Sequence, residues 1–267
     1  MIKTDILIIG AGQTALFIVF EAGLLKMKCH ILDSLTQPGG QCIELYPKKP
    51  IYDIPGYPEI IAGDLIENLL EQIKPFQPSY TLGETALNLD KLDDGSFKVT
   101  TDKGTEILAK IIAIAGGLGT FTPRKPNIYN ISDYEDKGVL YMIKDPSEFK
   151  DKTVVIAGGG DSALDWSIHL SKISKKVILI HRRNEFRGAN DSVASVQKLK
   201  DLGKIDVITP AQVEKLNGKS KLESIVIDVD GNKSKIETDY FIPLFGLVPK
   251  LGPCLLYTSD AADDLLC

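Results

Sequence analysis

The chain has 267 residues, of which 43% are hydrophobic and 25% charged, and its formal net charge is −5. Such a composition is typical of a globular protein with a sizeable core, arranged as one large domain or two medium ones. Lysine and arginine are scattered along a net acidic chain, which argues against a nucleic-acid-binding protein.

The first predicted element is a strand from Asp5 to Ile9, which a glycine-rich turn and a helix follow. The turn reads Gly10-Ala11-Gly12-Gln13-Thr14-Ala15. In dinucleotide-binding folds the first glycine allows a tight turn, and the second lets backbone amides approach a pyrophosphate. A second apolar strand ends at Asp33, where a carboxylate accepts hydrogen bonds from an adenosine ribose. The pattern predicts a dinucleotide site; the alternatives are an ordinary glycine turn and, for Asp33, a solvated strand end.

The stretch from Ile6 to Leu25 is apolar enough to resemble a membrane span or a signal sequence. Gln13, Thr14 and Glu21, together with the glycine turn, argue against a span. Little positive charge precedes the stretch, and no cleavage site is evident. We therefore expect a cytoplasmic protein without a membrane segment.

The next part of the chain is predicted to contain a loop, a helix and three strands. The loop from Thr36 to Pro58 is rich in Pro, Gly and Tyr, and a loop of this length inside a domain is usually functional. The turns Asp94-Gly95 and Lys103-Gly104 indicate hairpins. The predicted elements are a helix at 64–76 and strands at 80–89, 97–101 and 106–114.

A second copy of the glycine pattern follows the predicted strand from Thr153 to Ala157. It reads Gly158-Gly159-Gly160-Asp161-Ser162-Ala163 and begins a helix. The apolar strand from Lys176 to Ile180 then leads to His181-Arg182-Arg183, and Arg187 follows four residues after Arg183. Guanidinium groups at this place suit a ribose that carries a 2′-phosphate, so this copy predicts an NADP(H) site. An ordinary basic turn is the alternative.

The remaining elements complete an α/β fold with two Rossmann-like dinucleotide-binding modules, the second inserted into the first. They are helices at 161–173 and 190–202 and strands at 205–209, 222–229 and 240–243. The expected domains are a first module at 1–117, an NADP(H)-binding module at 118–244 and a return segment at 245–252. Residues 253–267 have neither a glycine turn nor strand alternation, and we expect a non-native tail there rather than a short helix.

The cysteines and histidines predict no metal site and no redox dithiol. None of the four cysteines forms a C-x-x-C pair, and the three histidines are dispersed. Cys29 lies in an apolar strand and Cys42 in the glycine-containing loop, and both are expected to fill space.

With these residues assembled, the chain resembles the thioredoxin-reductase-like ferredoxin–NADP⁺ reductases, the homodimeric bacterial type. The resemblance covers residues 1–252, and its most specific part is the loop from Gly39 to Pro47, continued from Ile51 to Gly56. It implies FAD in the first module, with Thr14 near the pyrophosphate and Asp33 on the adenosine ribose. The other FAD contacts that it implies are Gln41, Tyr46 stacked on the isoalloxazine, Ala86 and Phe121.

The resemblance also implies a reaction. NADPH gives a hydride to flavin N5, and electrons then pass singly to ferredoxin or flavodoxin, without a catalytic side chain. Thioredoxin reductase is the nearest rival, but its C-x-x-C pair is replaced here by Met142-Ile143-Lys144-Asp145, so thiol exchange is excluded. The alternatives left open are a non-catalytic NADPH sensor or inactive fragment, and a reductase of quinones or other small acceptors.

The candidate site consists entirely of cofactor-binding residues. In the first module they are Gly10, Gly12, Gln13, Thr14, Asp33, Gln41, Tyr46, Ala86 and Phe121. In the second they are Gly158, Gly160, Asp161, Ser162, His181, Arg182, Arg183 and Arg187.

Overall fold

A computed structural model describes residues 1–120 and 122–248 together with Lys250. Phe121 and the expected tail at 253–267 therefore lie outside the described residues. The chain divides into two units, which we call unit 1 (Met1–Thr122 and the chain from Val248 on) and unit 2 (Pro123–Leu247). Unit 1 is thus built from two separate stretches of the sequence.

The strands and helices of unit 1 form a sheet with helices packed on it. Its strands are β1 Ile2–Ile9, β2 Cys29–Asp33, β3 Pro50–Ile51, β4 Ile60–Ile61, β5 Ser79–Leu82, β6 Ala86–Lys91, β7 Phe97–Thr101 and β8 Glu106–Ile114. Its helices are α1 Gln13–Leu24, α2 Gly40–Glu44 and α3 Ala62–Ile73, with a 3₁₀ turn at Lys74–Phe76. The main sheet has the order β5-β2-β1-β8-β7-β6, and β3 and β4 pair with each other in a separate two-stranded sheet. The first four strands in that order pair in parallel, whereas β8, β7 and β6 pair antiparallel.

Unit 2 contains a parallel sheet of four strands and an antiparallel sheet of three. The short strands β9 Thr122–Pro123 and β17 Leu247–Val248 lie where the chain enters and leaves unit 2. The strands between them are β10 Thr153–Ala157, β11 Lys176–Ile180, β12 Ile205–Ile208, β13 Gln212–Asn217, β14 Ser224–Val229, β15 Asn232–Glu237 and β16 Tyr240–Pro243. The helices are α4 Asp161–Leu170 and α5 Asn190–Asp201, with 3₁₀ turns at Ile131–Tyr134 and Pro146–Phe149. Across the described ranges, no helix combines the length and apolarity needed to cross a membrane.

The two parallel sheets repeat one arrangement. The order β12-β11-β10-β16 in unit 2 matches β5-β2-β1-β8 in unit 1. Equivalent hydrogen bonds join the turn after each central strand to its neighbour: Gly10 N–H donates to Leu32 O at 2.8 Å, and Gly158 N–H to Ile180 O at 3.0 Å. The central strands contain runs of buried aliphatic residues, Ile6 to Ile8 in β1 and Val154 to Ala157 in β10, as expected for strands covered on both faces. The predicted α/β fold with two Rossmann-like modules is confirmed.

One strand prediction was wrong, and two strands of the antiparallel sheet in unit 2 were not predicted. The single strand predicted from Tyr80 to Leu89 is two strands, because the chain turns at Gly83 (φ +72°); β5 then pairs with β2, and β6 with β7. The strands β13 and β15 were not predicted. A register shift between Val213 and Lys215 breaks the apolar alternation of β13, and β15 is almost entirely exposed. The dipeptide Asp230-Gly231 before β15 is a typical hairpin signal that indicates such a strand.

Candidate dinucleotide-binding sites

The first glycine of each turn lies against the backbone at the end of a neighbouring strand. A Cβ at Gly10 would be 2.3 Å from Ala115 O, the residue after β8. A Cβ at Gly158 would be 2.7 Å from Leu244 O, the residue after β16. Gly10 also has φ +108°, a conformation that residues with a side chain rarely adopt. Both positions therefore require glycine for the fold itself.

The second glycine of each turn faces open space. A Cβ at Gly12 or Gly160 would meet no described atom within 4 Å. These residues are the N-caps of α1 and α4, and neither helix has a side-chain cap. The unpaired N–H groups of a helix's first turn and its dipole attract anions. The turn in each unit therefore fits a dinucleotide whose pyrophosphate lies at the start of the helix.

In unit 1, Asp33 organises the turn as well as the end of β2. One carboxylate oxygen accepts the N–H of Ala11 at 2.6 Å, and the other accepts that of Leu35 at 2.7 Å. Each oxygen retains a second lone pair that can accept a ribose hydroxyl. Glu84 N–H donates to Asp33 O at 3.1 Å, which brings the beginning of β6, with the buried Ala86, beside the strand end.

The loop that carries Gln41 folds back onto the same turn. Gly39 N–H donates to Ala11 O at 2.8 Å, and a Cβ at Gly40 would lie 3.0 Å from the Cα of Gly12. The Cys42 thiol donates to Gln13 Oε1, with the two atoms 3.8 Å apart. The amide nitrogen of Gln41 would be 3.7 Å from a Cβ at Gly117, beyond the end of β8. Gln13 and Gln41 are thus brought together around the glycine turn.

Tyr46 is half-buried at the edge of the core that packs α1 and α3 on the sheet. Burial raises the pKa of its hydroxyl to about 12, so the phenol is neutral. Burial also raises the pKa of the Cys42 thiol, which disfavours the reactive thiolate. Lys49 Nζ lies 5.8 Å from the centroid of the Tyr46 ring. The Tyr46 phenol and the Cys42 thiol are therefore uncharged and unreactive, and they offer a ligand neither an acid–base nor a nucleophilic group.

In unit 2, His181 lies under the glycine turn instead of among exposed basic groups. The residue is 6% exposed, and its ring would be 2.3 Å from a Cβ at Gly159. It also stacks on Phe186, with ring centroids 5.5 Å apart. Burial lowers its pKa, a hydrogen bond to the backbone of Glu185 opposes that change, and Arg187, Arg182 and Arg183 lower the pKa further, so the neutral form is favoured. Its buried Nε2 has no hydrogen-bond partner within the described structure.

The three arginines are exposed, and their segment is tied to the glycine turn through its backbone. Arg187 N–H donates to Gly159 O at 2.7 Å. Within residues 1–120 and 122–248, no acidic side chain forms an ion pair with Arg182, Arg183 or Arg187. Exposed guanidinium groups without an acidic partner, on a segment tied to the glycine turn, fit the extra phosphate of NADP(H).

The exposed residues at the helix starts are Gln13 and Thr14 in α1 and Asp161 and Ser162 in α4. Asp161 makes a contact that the sequence did not indicate, because its Oδ1 accepts the N–H of Ala189 at 2.7 Å. The segment that replaces a C-x-x-C pair is structural: Ile143 is 1% exposed, and Asp145 Oδ1 accepts the N–H of Ser147 at 3.0 Å. The described side chains contain no group of three or more possible metal ligands.

Comparisons with known proteins agree with this geometry. The family model for pyridine nucleotide-disulphide oxidoreductases matches residues 4–253. A ferredoxin–NADP reductase of Flavobacterium johnsoniae is 67% identical over 95% of this chain and 72% of its own length. One of Rickettsia rickettsii is 48% identical over 94% of this chain and 74% of its own length.

Solved structures show the same fold. The thioredoxin reductase of T. acidophilum is 25% identical, with a TM-score of 0.79 over 94% of this chain and 79% of its own. That of Lactococcus lactis is 24% identical, with a TM-score of 0.77 over 91% of this chain and 78% of its own. Because the chain has two equivalent glycine turns and these relatives, it belongs to the pyridine nucleotide-disulphide oxidoreductases and is a flavoprotein oxidoreductase of the thioredoxin-reductase-like ferredoxin–NADP reductase type.

Proposed function

We propose that this protein holds FAD in unit 1 and NADP(H) in unit 2 and moves electrons between NADPH and ferredoxin or flavodoxin. One observation carries the proposal: two equivalent turns with open helix starts are followed by opposite charges, Asp33 in unit 1 and the arginine segment in unit 2. A carboxylate suits an unmodified ribose, whereas guanidinium groups suit a phosphorylated one. The names of the relatives supply the electron acceptor.

In unit 1, the FAD pyrophosphate would lie on Gly10, Gly12, Gln13 and Thr14, where α1 begins. Asp33 would accept the ribose hydroxyls while it continues to hold Ala11. Ala86 and Phe121 would contribute further contacts, as the resemblance implies. Gln41 would contact the flavin, and the neutral ring of Tyr46 would stack on it without offering a competing proton.

In unit 2, the NADP(H) pyrophosphate would lie on Gly158, Gly160 and Ser162. Arg182, Arg183 and Arg187 would bind the 2′-phosphate, and the buried ring of His181 would support the glycine turn from beneath. The bound flavin would supply the redox chemistry by accepting a hydride and releasing electrons one at a time. The residues of this chain bind, orient and select, and we assign no catalytic side chain.

Anaerobic titration of the purified protein tests the proposal. We expect a yellow protein whose flavin absorption is bleached by NADPH at far lower concentration than by NADH. Equal responses to the two coenzymes would refute the assignment of the arginines. A colourless protein that binds NADPH would instead favour a sensor.

The acceptor is tested separately, because a quinone reductase would give the same titration. We expect single-electron transfer to ferredoxin or flavodoxin to be faster than reduction of small quinones, and to weaken as salt screens the encounter. The opposite ranking would indicate a quinone reductase.

The proposed assembly is a homodimer, with an FAD module at 1–117 and 245–252 and an NADP(H) module at 118–244. Light scattering checks the dimer.

A further inference from the structure

The basic segment of unit 2 crosses the beginning of α4, and one carboxylate fixes it there. Asp161, the first residue of α4, accepts the N–H of Ala189 at 2.7 Å. The backbone of Gly188 packs closely against the first turn of α4, since a Cβ there would be 2.5 Å from Leu164 Cδ1 and 3.1 Å from Asp161 Oδ1. Arg187 N–H donates to Gly159 O at 2.7 Å. Three consecutive residues of the segment are therefore fixed to the turn and the helix.

We propose that Asp161 is a positioning residue for coenzyme selection: it holds the arginine segment in place and is not itself a ligand of the dinucleotide. The proposal rests on the proposed NADP(H) site. The glycine pattern predicts that Asp161 contacts the dinucleotide directly, and the proposal replaces that role with an indirect one.

Charge supports this assignment. A carboxylate in the first turn of α4 repels a pyrophosphate bound at the same helix end, so a direct contact would be unfavourable. The equivalent residue in unit 1 is the neutral Gln13, whose side chain accepts the Cys42 thiol. An acid stands at this position only in the unit whose following segment carries arginines, and there its Oδ1 accepts the N–H of Ala189, a residue of that segment.

The anchoring determines where the guanidinium groups can reach. At one end of the segment, His181 is fixed by its N–H to Ile208 O at 3.2 Å and by Ala211 N–H to its own carbonyl at 2.9 Å. At the other end, Asp161 and Gly159 fix the backbone around Arg187. Because both ends are held, the exposed Arg182 and Arg183 stay close to the glycine turn at the start of α4, where the nucleotide would bind. Without the Asp161 bond, the segment between His181 and α5 gains freedom that must be lost again when the 2′-phosphate binds.

Two substitutions at Asp161 separate positioning from direct binding. In Asp161→Ala the acceptor for Ala189 is lost, whereas the amide oxygen of Asp161→Asn can still accept that N–H. Affinities for NADP⁺ and NAD⁺ are measured by calorimetry on the flavin-loaded protein. We expect Asp161→Ala to weaken NADP⁺ about tenfold, as loss of a charge-assisted hydrogen bond predicts, and to leave NAD⁺ within about twofold. Asp161→Asn should keep the preference for NADP⁺ and bind both coenzymes at least as tightly as the wild type.

The control is Asp191→Ala, which removes an exposed acid from the first turn of α5. It should change neither affinity, and thermal unfolding of each variant shows that unit 2 stays folded. A second perturbation, Gly188→Ala, pushes the segment away from α4 and should repeat the selective loss.

Each remaining outcome would overturn the proposal. An equal loss of NADP⁺ and NAD⁺ in Asp161→Ala would make Asp161 a ligand, and no loss would show that the segment does not need it. An Asp161→Asn protein as weak as Asp161→Ala would make charge, not the hydrogen bond, responsible. A wild-type protein without preference for NADP⁺ would refute the NADP(H) site, and this proposal with it.

Discussion

Replacing Gly12 by alanine should weaken flavin binding while unit 1 stays folded, and Gly160→Ala should weaken NADP(H) binding in unit 2 in the same way. An added Cβ at either position meets no described atom within 4 Å. The methyl group would therefore stand in the open space where phosphate oxygens must approach backbone N–H groups. The two variants are matched, because each changes the same position of the same turn in a different unit.

The cost should fall on binding rather than on folding. Alanine is a poorer N-cap than glycine, which costs the folded state about 0.5–1 kcal/mol. Loss of one or two charge-assisted hydrogen bonds, each of about 1.5–3 kcal/mol, would weaken dinucleotide binding by about tenfold or more. Gly10→Ala is the opposite case. Its Cβ would lie 2.3 Å from Ala115 O at φ +108°, so this variant should lose stability of the fold itself.

Visible absorption measures flavin occupancy, calorimetry measures NADP⁺ binding, and circular dichroism measures unfolding. We expect Gly12→Ala to be folded but to retain less flavin than the wild type, and Gly160→Ala to be yellow but to bind NADP⁺ at least about tenfold more weakly. A Gly12→Ala protein with a full complement of flavin would refute the placement of the FAD pyrophosphate. Wild-type NADP⁺ affinity in Gly160→Ala would do the same for unit 2.

Three further predictions concern the arginine pair, Asp33 and His30. Arg182→Ala combined with Arg183→Ala should weaken NADPH about tenfold or more and NADH little, as measured by titration; equal losses would contradict it. Asp33→Ala leaves two backbone N–H groups unpaired and should lower the unfolding free energy of flavin-free protein by about 1–3 kcal/mol, whereas Asp33→Asn should lose less. Burial lowers the pKa of His30, so its contribution to stability is full above the unfolded pKa of about 6.5 and is lost as the pH falls below it. His30→Gln should flatten that part of the unfolding free energy against pH, and an unchanged slope would refute this.

The elements that the sequence predicted well are those with local signals. The buried aliphatic runs of β1 and β10, the glycine turns and the helices after them each carry their own pattern. The strand β15 has only Ile236 as an apolar residue, and it forms because its backbone pairs with β14. Such a strand depends on its neighbour, so periodicity in its own sequence could not reveal it.

The candidate site divides in the same way. The glycines and the charges after β2 and β11 were visible because the βαβ unit fixes their spacing. The bond between Asp161 and Ala189 joins residues on two separate elements, and no local pattern encodes it. Similarly, the sequence placed His181 among basic residues, whereas its ring occupies the space that Gly159 leaves free. The roles of these residues in cofactor binding stay predictions.

The division of the chain between the units bears on the order in which the protein can assemble during synthesis. Although unit 1 consists of two stretches, all six strands of its sheet lie between Ile2 and Ile114. The strands of both sheets in unit 2 lie between Thr153 and Pro243. Each sheet can therefore close as soon as its own segment has left the ribosome, and neither waits for residues made much later. The insertion thus adds a module without lengthening the loops that the first sheet must close.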